Sequence, residues 1–330
     1  MTQGKGFASL VAGVALVVGG SAFCAEVWVS HELGSGDRAP DSIMFLGNRT
    51  GWICNLFPGV FKTVDGGETW IRLNSNLTSD QIEAVWFVDE NKGWAISSAQ
   101  PSEPSPRESG ILVSVDGGKS WSKQTMFPQA TCALGDLWFR DDVHGWVTGS
   151  CNQQAVILTT SDGGTKWQRQ VISGIVGSEL RRVRFGDSLI GWAVGPGSIL
   201  STKDGGVHWA PQYTDERGIW LNDIAAVTST EAWAVGGWGF LLHTVDGGAI
   251  WSKVPLPGGS QEFVWRICFA DAAHGWIVGA KGTIFATKDS GHVWTLERLT
   301  VAGTIAGIAA NDSHVFVTGG GSQILIRSRH

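Results

Sequence analysis

The sequence is poor in charge and has no concentration of it. Charged residues are 16% of the 330, with 24 basic against 30 acidic for a formal net charge of −6, and no block of like charges occurs. Nucleic acid and anionic membrane surfaces bind through clustered Lys and Arg, so neither is indicated as a partner. Helix-forming stretches are scarce, which argues against a helical protein. Tyrosine occurs once, at Tyr213, and methionine three times. The one notable apolar run, residues 7–18, is too short to span a bilayer comfortably. What is abundant is 46 Gly and 18 Trp, the composition of many tight turns separated by short, aromatic-bearing strands. With 43% hydrophobic residues the chain can bury the core of one large all-β domain.

The apolar run follows Lys5 and precedes Gly19, Gly20, Ser21 and Ala22, the order of a signal peptide. Residues 1–24 are read as that peptide and 25–330 as the mature domain, cleaved after Ala22 or Cys24. Cys24 is also a candidate lipid acceptor, although the bulky Phe23 before it disfavours that alternative. Export permits disulfides. Cys132 and Cys151 flank one expected hairpin, and a bridge across its open end fits that placement. Cys54 and Cys268 fall in different repeats and are read as buried small hydrophobes.

Self-similarity dominates the rest. TVDGGETW ends at Trp70, SVDGGKSW at Trp121, TSDGGTKW at Trp167, TKDGGVHW at Trp209, TVDGGAIW at Trp251 and TKDSGHVW at Trp294. The successive spacings of 51, 46, 42, 42 and 43 residues match one four-stranded propeller blade. A second series runs in step: GWIC at Trp52, GWAI at Trp94, GWVT at Trp146, GWAV at Trp192, AWAV at Trp233, GWIV at Trp276 and HVFV at Phe316. It has seven members where the first has six, so one blade lacks its box and its last strand. VWVSHEL around Trp28 resembles the strand after each box and lies 42 residues before Trp70. The expected fold is therefore an all-β, seven-bladed propeller whose N-terminal strand completes the last blade and closes the ring.

The box has a structural logic of its own. Its Asp can accept hydrogen bonds from the hairpin's N–H groups, its glycines can take positive φ, and its Trp can pack over the turn. Asp65, Asp116, Asp162, Asp204, Asp246 and Asp289 are accordingly read as structural rather than as catalytic or calcium-binding residues. His144, His274 and His314 recur at one turn position, and His208 and His292 lie at variable box positions. No metal or nucleophile constellation remains, and no cofactor is expected.

In a repeat, residues that break the pattern are the candidates for function. Ten residues before each second-strand aromatic stand Ser42, Ala84, Asp136, Arg182, Asp223, Arg266 and Ala306, so four consecutive blades alternate acid and base near the mouth of the central channel. Arg181 and Arg184 add positive charge. An inter-blade salt-bridge chain is the favoured reading, with a ligand site as the alternative. The longest irregular loop is 97–110; with the loops bearing Phe57, Trp220 and Trp238, and with Arg38, Arg107 and Arg217 around them, it can form an apolar or sugar-stacking surface or be ordinary solvated loop.

The whole mature chain resembles the photosystem II assembly/stability factor-like family of Asp-box propellers, best over RFGDSLIGWAVGPGSILSTKDGGVHW, residues 184–209. The resemblance implies a non-enzymatic assembly or scaffold protein on the exported side of a membrane, periplasmic or in a thylakoid lumen. Its implied partner is a protein client, in particular a membrane protein or complex. The family's basic binding patch has no residue-by-residue match in this sequence. Sialidases and some xyloglucan-cleaving enzymes share the box, so a glycoside hydrolase is an alternative. Against it, Tyr213 is the only tyrosine available as a sialidase-type nucleophile, and one propeller cannot form a cleft between two. A carbohydrate- or cell-surface-binding propeller is the other alternative. A closed ring offers no edge that demands a partner, so a monomer is expected.

Overall fold

A computed structural model of the chain describes residues 27–33, 40, 42–54, 59–73, 76–77, 81–98, 109–124, 132–300, 303–319 and 323–329. Residues 1–24, for which a signal peptide is expected, and Arg38, Phe57 and Arg107 lie outside them. The described residues form seven four-stranded antiparallel sheets and no helix beyond three short 3-10 turns. The inner strands, which number the blades 1 to 7, are Ser42–Leu46, Gln81–Phe87, Cys132–Phe139, Arg182–Phe185, Leu221–Ala226, Val264–Phe269 and Ile305–Ala310. Blade 7 takes its fourth strand from the other end of the chain. Val29–Glu32 pairs antiparallel with Gln323–Ser328, from Val29 opposite Ile326 to Glu32 opposite Gln323. Trp28 is buried there, with the Arg327 guanidinium 4.7 Å above its ring and bonded to Glu297 at 2.6 Å.

The two aromatic series meet at the blade boundary through the Phe that ends the next inner strand, as where Phe87 stacks on Trp52 of blade 1 and meets the box Trp121 of its own blade edge-on at 5.9 Å. Trp52 of blade 1 stacks on Phe87, the last residue of blade 2's inner strand, at 4.0 Å, and its indole N–H donates to Gly117 O in the blade 2 box at 3.0 Å. Trp94 repeats this against Phe139 at 3.6 Å and Gly163 O at 3.0 Å. Trp146 meets Phe185, Trp233 meets Phe269, and Phe316 of blade 7 stacks on Phe45 of blade 1. Box glycines are demanded by this contact as well as by their φ. A Cβ on Gly206 would lie 2.1 Å from the Trp146 ring nitrogen, and one on Gly291 2.3 Å from the Trp233 ring.

Two interfaces lack the Phe, and each has a substitute. Blade 5 has Ala226 in the Phe position, and Trp192 donates instead to Gln212 Oε1 at 3.0 Å, whose amide reaches Gly247 O of the blade 5 box at 2.8 Å. Blade 7 has Ala310 there and no box. Arg329 lies 5.4 Å over Trp276, donates to Asn311 O, and pairs with Asp271.

Within each box the Asp and the preceding Thr or Ser share the turn's donors. Asp116 Oδ1 accepts from Ser114 Oγ at 2.8 Å and from Ser120 N at 2.9 Å, while Ser114 Oγ accepts from Gly118 N at 2.8 Å. The histidines sit in the turns. His144 bonds Asp141 at 2.9 Å and His274 bonds Asp271 at 2.8 Å. Cys132 and Cys151 are joined by a disulfide across the open end of the blade 3 hairpin, where they are register partners. Cys54 is buried, as a small hydrophobe would be, but Cys268 is only partly buried and lines the channel. Its thiol sits in a desolvated position beside the Asp223 charge, and both push it well above the usual range and disfavour the thiolate.

The box carboxyls give the fold an acid limit. All six are held below the ordinary value of 3.8. For Asp116 burial pushes upward but is outweighed by the Ser120 and Ser114 hydrogen bonds, which hold it at about 2; for Asp204, also at about 2, the backbone N–H of His208 is the main cause. A depressed folded value means that the stabilisation is complete above the unfolded value of about 4 and disappears as pH falls toward 2. The thermal midpoint should therefore drop steeply between pH 4 and pH 2, with Asp116→Asn shallowing the drop. A midpoint unchanged down to pH 2 would remove this role from the boxes.

Candidate functional site

The inner strands place one residue per blade at a common level of the central channel. Ser42, Ala84, Asp136, Arg182, Asp223 and Arg266 stand opposite Cys54, Ile96, Thr148, Val194, Val235 and Val278 in their hairpins. Blade 7 differs from the sequence expectation. Its first turn is one residue shorter, so Gly307, opposite Thr318, takes the level expected of Ala306. The channel encloses about 180 Å³, lined by Asp136, Arg182, Arg184, Asp223 and Arg266 together with Trp86 and Cys268.

Asp136 is buried and receives Arg182 Nη1 at 2.8 Å on one oxygen, and Arg184 Nη1 and Val183 N on the other. Burial alone would raise its carboxyl, but the Arg184 and Arg182 charges outweigh burial and hold it below the ordinary value, so it stays anionic. Arg182 Nε lies 3.5 Å from Asp223, whose other oxygen accepts the Ile267 N–H of blade 6 at 3.0 Å. The chain Asp136, Arg182, Asp223 thus ties blades 3 to 6 together. Arg184 remains a quarter exposed and lies 5.6 Å over Trp86, and Arg266 donates to Trp265 O at 3.0 Å. Three guanidiniums face two carboxylates across the channel.

In each meander the second-to-third and blade-to-blade connections share one face, opposite the boxes. There Arg181 donates to Glu179 and to Asn222 Oδ1, both at 2.8 Å, and lies 4.7 Å over Trp220. Arg217 grips Asp215 at 2.9 and 2.6 Å. Tyr213 also turns to Asp215, at 3.4 Å, and burial followed by the Asp215 charge raises its phenol, which disfavours a phenolate nucleophile. Trp238 packs on Phe263 with centroids 5.0 Å apart.

Asn222 and Trp265 escaped the sequence reading. Both occupy β-bulges, where the inner strands of blades 5 and 6 skip a residue between Leu221 and Asp223 and between Val264 and Arg266. Bulges re-aim side chains at the rims of such rings. A signal existed, since Asn222 directly precedes a member of the acid–base series. Among the described residues no group of three or more His, Cys, Asp or Glu comes together in a metal-binding arrangement.

The segment that carries most of these residues also carries a family signature. Residues 175–260 match the family model "Photosynthesis system II assembly factor YCF48". The resemblance is to the YCF48 assembly factors. Two solved YCF48 structures share the fold. One, bound to a D1 peptide, superposes with TM-score 0.72 at 18% identity, covering 98% of this chain and 100% of that one. The other, from Cyanidioschyzon merolae, gives 0.71 at 19%, covering 91% and 98%. The GH74 xyloglucanase of Xanthomonas campestris also shares the architecture, with TM-score 0.66 at 13% identity over 89% of this chain but only 52% of the enzyme. No curated protein matches in sequence. The matched segment contains Arg181, Arg182, Arg184, Arg217, Trp220, Asp223 and Trp238, whereas Arg266 lies just beyond it.

Asp136→Ala leaves two guanidiniums without their shared carboxylate, and in a buried pair that loss is expected to destabilise the protein by about 3–5 kcal/mol. Urea unfolding measures it. A loss under about 1 kcal/mol would mean that Arg182 and Arg184 find water or other partners, and that the chain does not hold blades 3 and 4 together.

Proposed function

We propose that this protein is a non-enzymatic assembly-type binding protein, monomeric and exported to the periplasm or, in a photosynthetic source, a thylakoid lumen, where it holds a segment of a membrane-protein client. The observation that carries this reading is the electrostatic state of the channel. Asp136 is locked as an anion between Arg182 and Arg184 and cannot serve as a general acid. The five charged lining residues carry one formal positive charge in excess, and Arg184 is a quarter exposed. With Asp136 committed to two guanidiniums, the lining lacks the carboxyl acid that a glycoside hydrolase requires, which favours a binding role. The family match over residues 175–260, and the peptide-bound state of a YCF48 of the same fold, support a protein segment as the ligand.

The test is a binding array of short overlapping peptides from the exported-side loops and tails of the source's membrane proteins, run beside a panel of fluorogenic glycosides. Binding to a defined subset of peptides with no glycoside turnover is expected. Turnover, or silence across the whole peptide array, would contradict the reading.

A further inference from the structure

The loop face at blades 5 and 6 carries aromatic surface that the ring does not need. Trp238 sits at the tip of the 3-10 turn Gly237–Gly239, 58% exposed, with a left-handed φ of 53°. Bulky residues are rare outliers in that conformation. The corresponding turns put polar residues there, Asn152 in blade 3 and Lys281 in blade 6, both at positive φ. Backbone geometry therefore does not call for an indole, and neither does packing, since most of it faces solvent. An observed outlier of this kind points toward function.

The turn is clamped to blade 6. A Cβ on Gly239 would lie 2.0 Å from Ser260 O and one on Gly237 2.9 Å from the Phe263 ring. The Trp220 carbonyl accepts the Gly237 N–H at 2.9 Å, so the turn that carries Trp238 is tied to the backbone of a second half-exposed tryptophan, whose ring lies under Arg181. Phe263 continues the apolar surface inward, 5.9 Å from Trp265.

The polar groups around this cluster are already engaged with one another. Arg181 is held by Glu179 and Asn222, and the Asn222 amide donates to Val264 O. Arg217 is held by Asp215, and Glu262 faces both Lys281 and Arg298 at 3.4 Å. Sugar recognition requires convergent hydrogen-bonding groups with capacity to spare beside the stacking face. Here the charged groups pair with one another and nearly cancel, which suits a dispersion-driven anchor in a protein interface.

We infer that Trp220, Trp238 and Phe263 form the anchor site for an uncharged apolar segment of a protein partner, one bearing aliphatic or proline side chains. The inference rests on the client-binding reading above and gives it a place and a ligand chemistry. It is tested with the same peptide array, a panel of soluble cello- and xylo-oligosaccharides, and the variants Trp238→Gly, Trp220→Ala and Val171→Ala. Trp238→Gly relieves the backbone rather than straining it and should fold normally, while Val171 is an exposed apolar residue elsewhere on the surface. The expected result is that the bound peptides are apolar and uncharged, that Trp238→Gly and Trp220→Ala each weaken them about tenfold, and that Val171→Ala leaves them unchanged. If only charged peptides bind, and Trp238→Gly leaves them unchanged, the anchor is refuted while client binding stands. If oligosaccharides bind and Trp238→Gly abolishes that binding, the site is a sugar platform. If no peptide binds at all, both readings fall.

Discussion

The ring is held at each blade boundary by a second-strand aromatic packed against the next blade, on its inner-strand Phe and its Asp box where that blade has them. A four-stranded blade cannot bury both of its faces alone, so the blade-to-blade interface carries the core. Here that interface is built from flat rings at 3.6 to 4.3 Å on Phe partners in four places, with indole N–H groups tied to box carbonyls at Trp52 and Trp94. Aromatic pairs of this kind contribute about 0.5–1.5 kcal/mol each beyond the area they bury. Where the Phe is missing, Gln212 and Arg329 complete the contact by hydrogen bonding and cation–π stacking. The Asp residues of the boxes shape the turns that receive the rings, which is why they recur without being reactive.

A ring held this way frees its other end to vary. The box face is committed to the lock, and the irregular connections gather on the opposite face with Arg181, Arg217, Trp220 and Trp238. Between the two faces lies the charged channel. Its arginines are not simply a basic patch. Buried charge requires a partner, and Asp136 and Asp223 supply it across blade boundaries while leaving one guanidinium partly open. The same residues that join the blades thus set the potential that a ligand would meet at the axis.

The blade count and the closing strand were legible because both aromatic series recur in step at blade-length spacings, and because Trp28 continues one of them 42 residues before Trp70. The relation between the series was not legible. Trp52 and Gly117 are 65 residues apart, and nothing local says that one blade's ring lies under the next blade's box. The acid–base series survived because the first turn keeps its length through blade 6; one shorter turn in blade 7 was enough to point at Ala306 where Gly307 stands. Bulges hid Asn222 and Trp265 by breaking the period of two on which strand reading depends. Arg329 lies beyond the last repeat, so no sibling position could give it a role. Arg38, Phe57 and Arg107 fall outside the described residues, and the sequence expectation for them stands as it was.

The central claim is a division of labour, with the box face holding the ring and the loop face holding a client. Hydrogen exchange measured with and without a saturating peptide ligand tests it directly. Slowed exchange confined to residues 215–223, 236–241 and 260–266, with the six boxes unchanged, is the predicted result. Protection centred on the box turns, with the loop face unaffected, would contradict it.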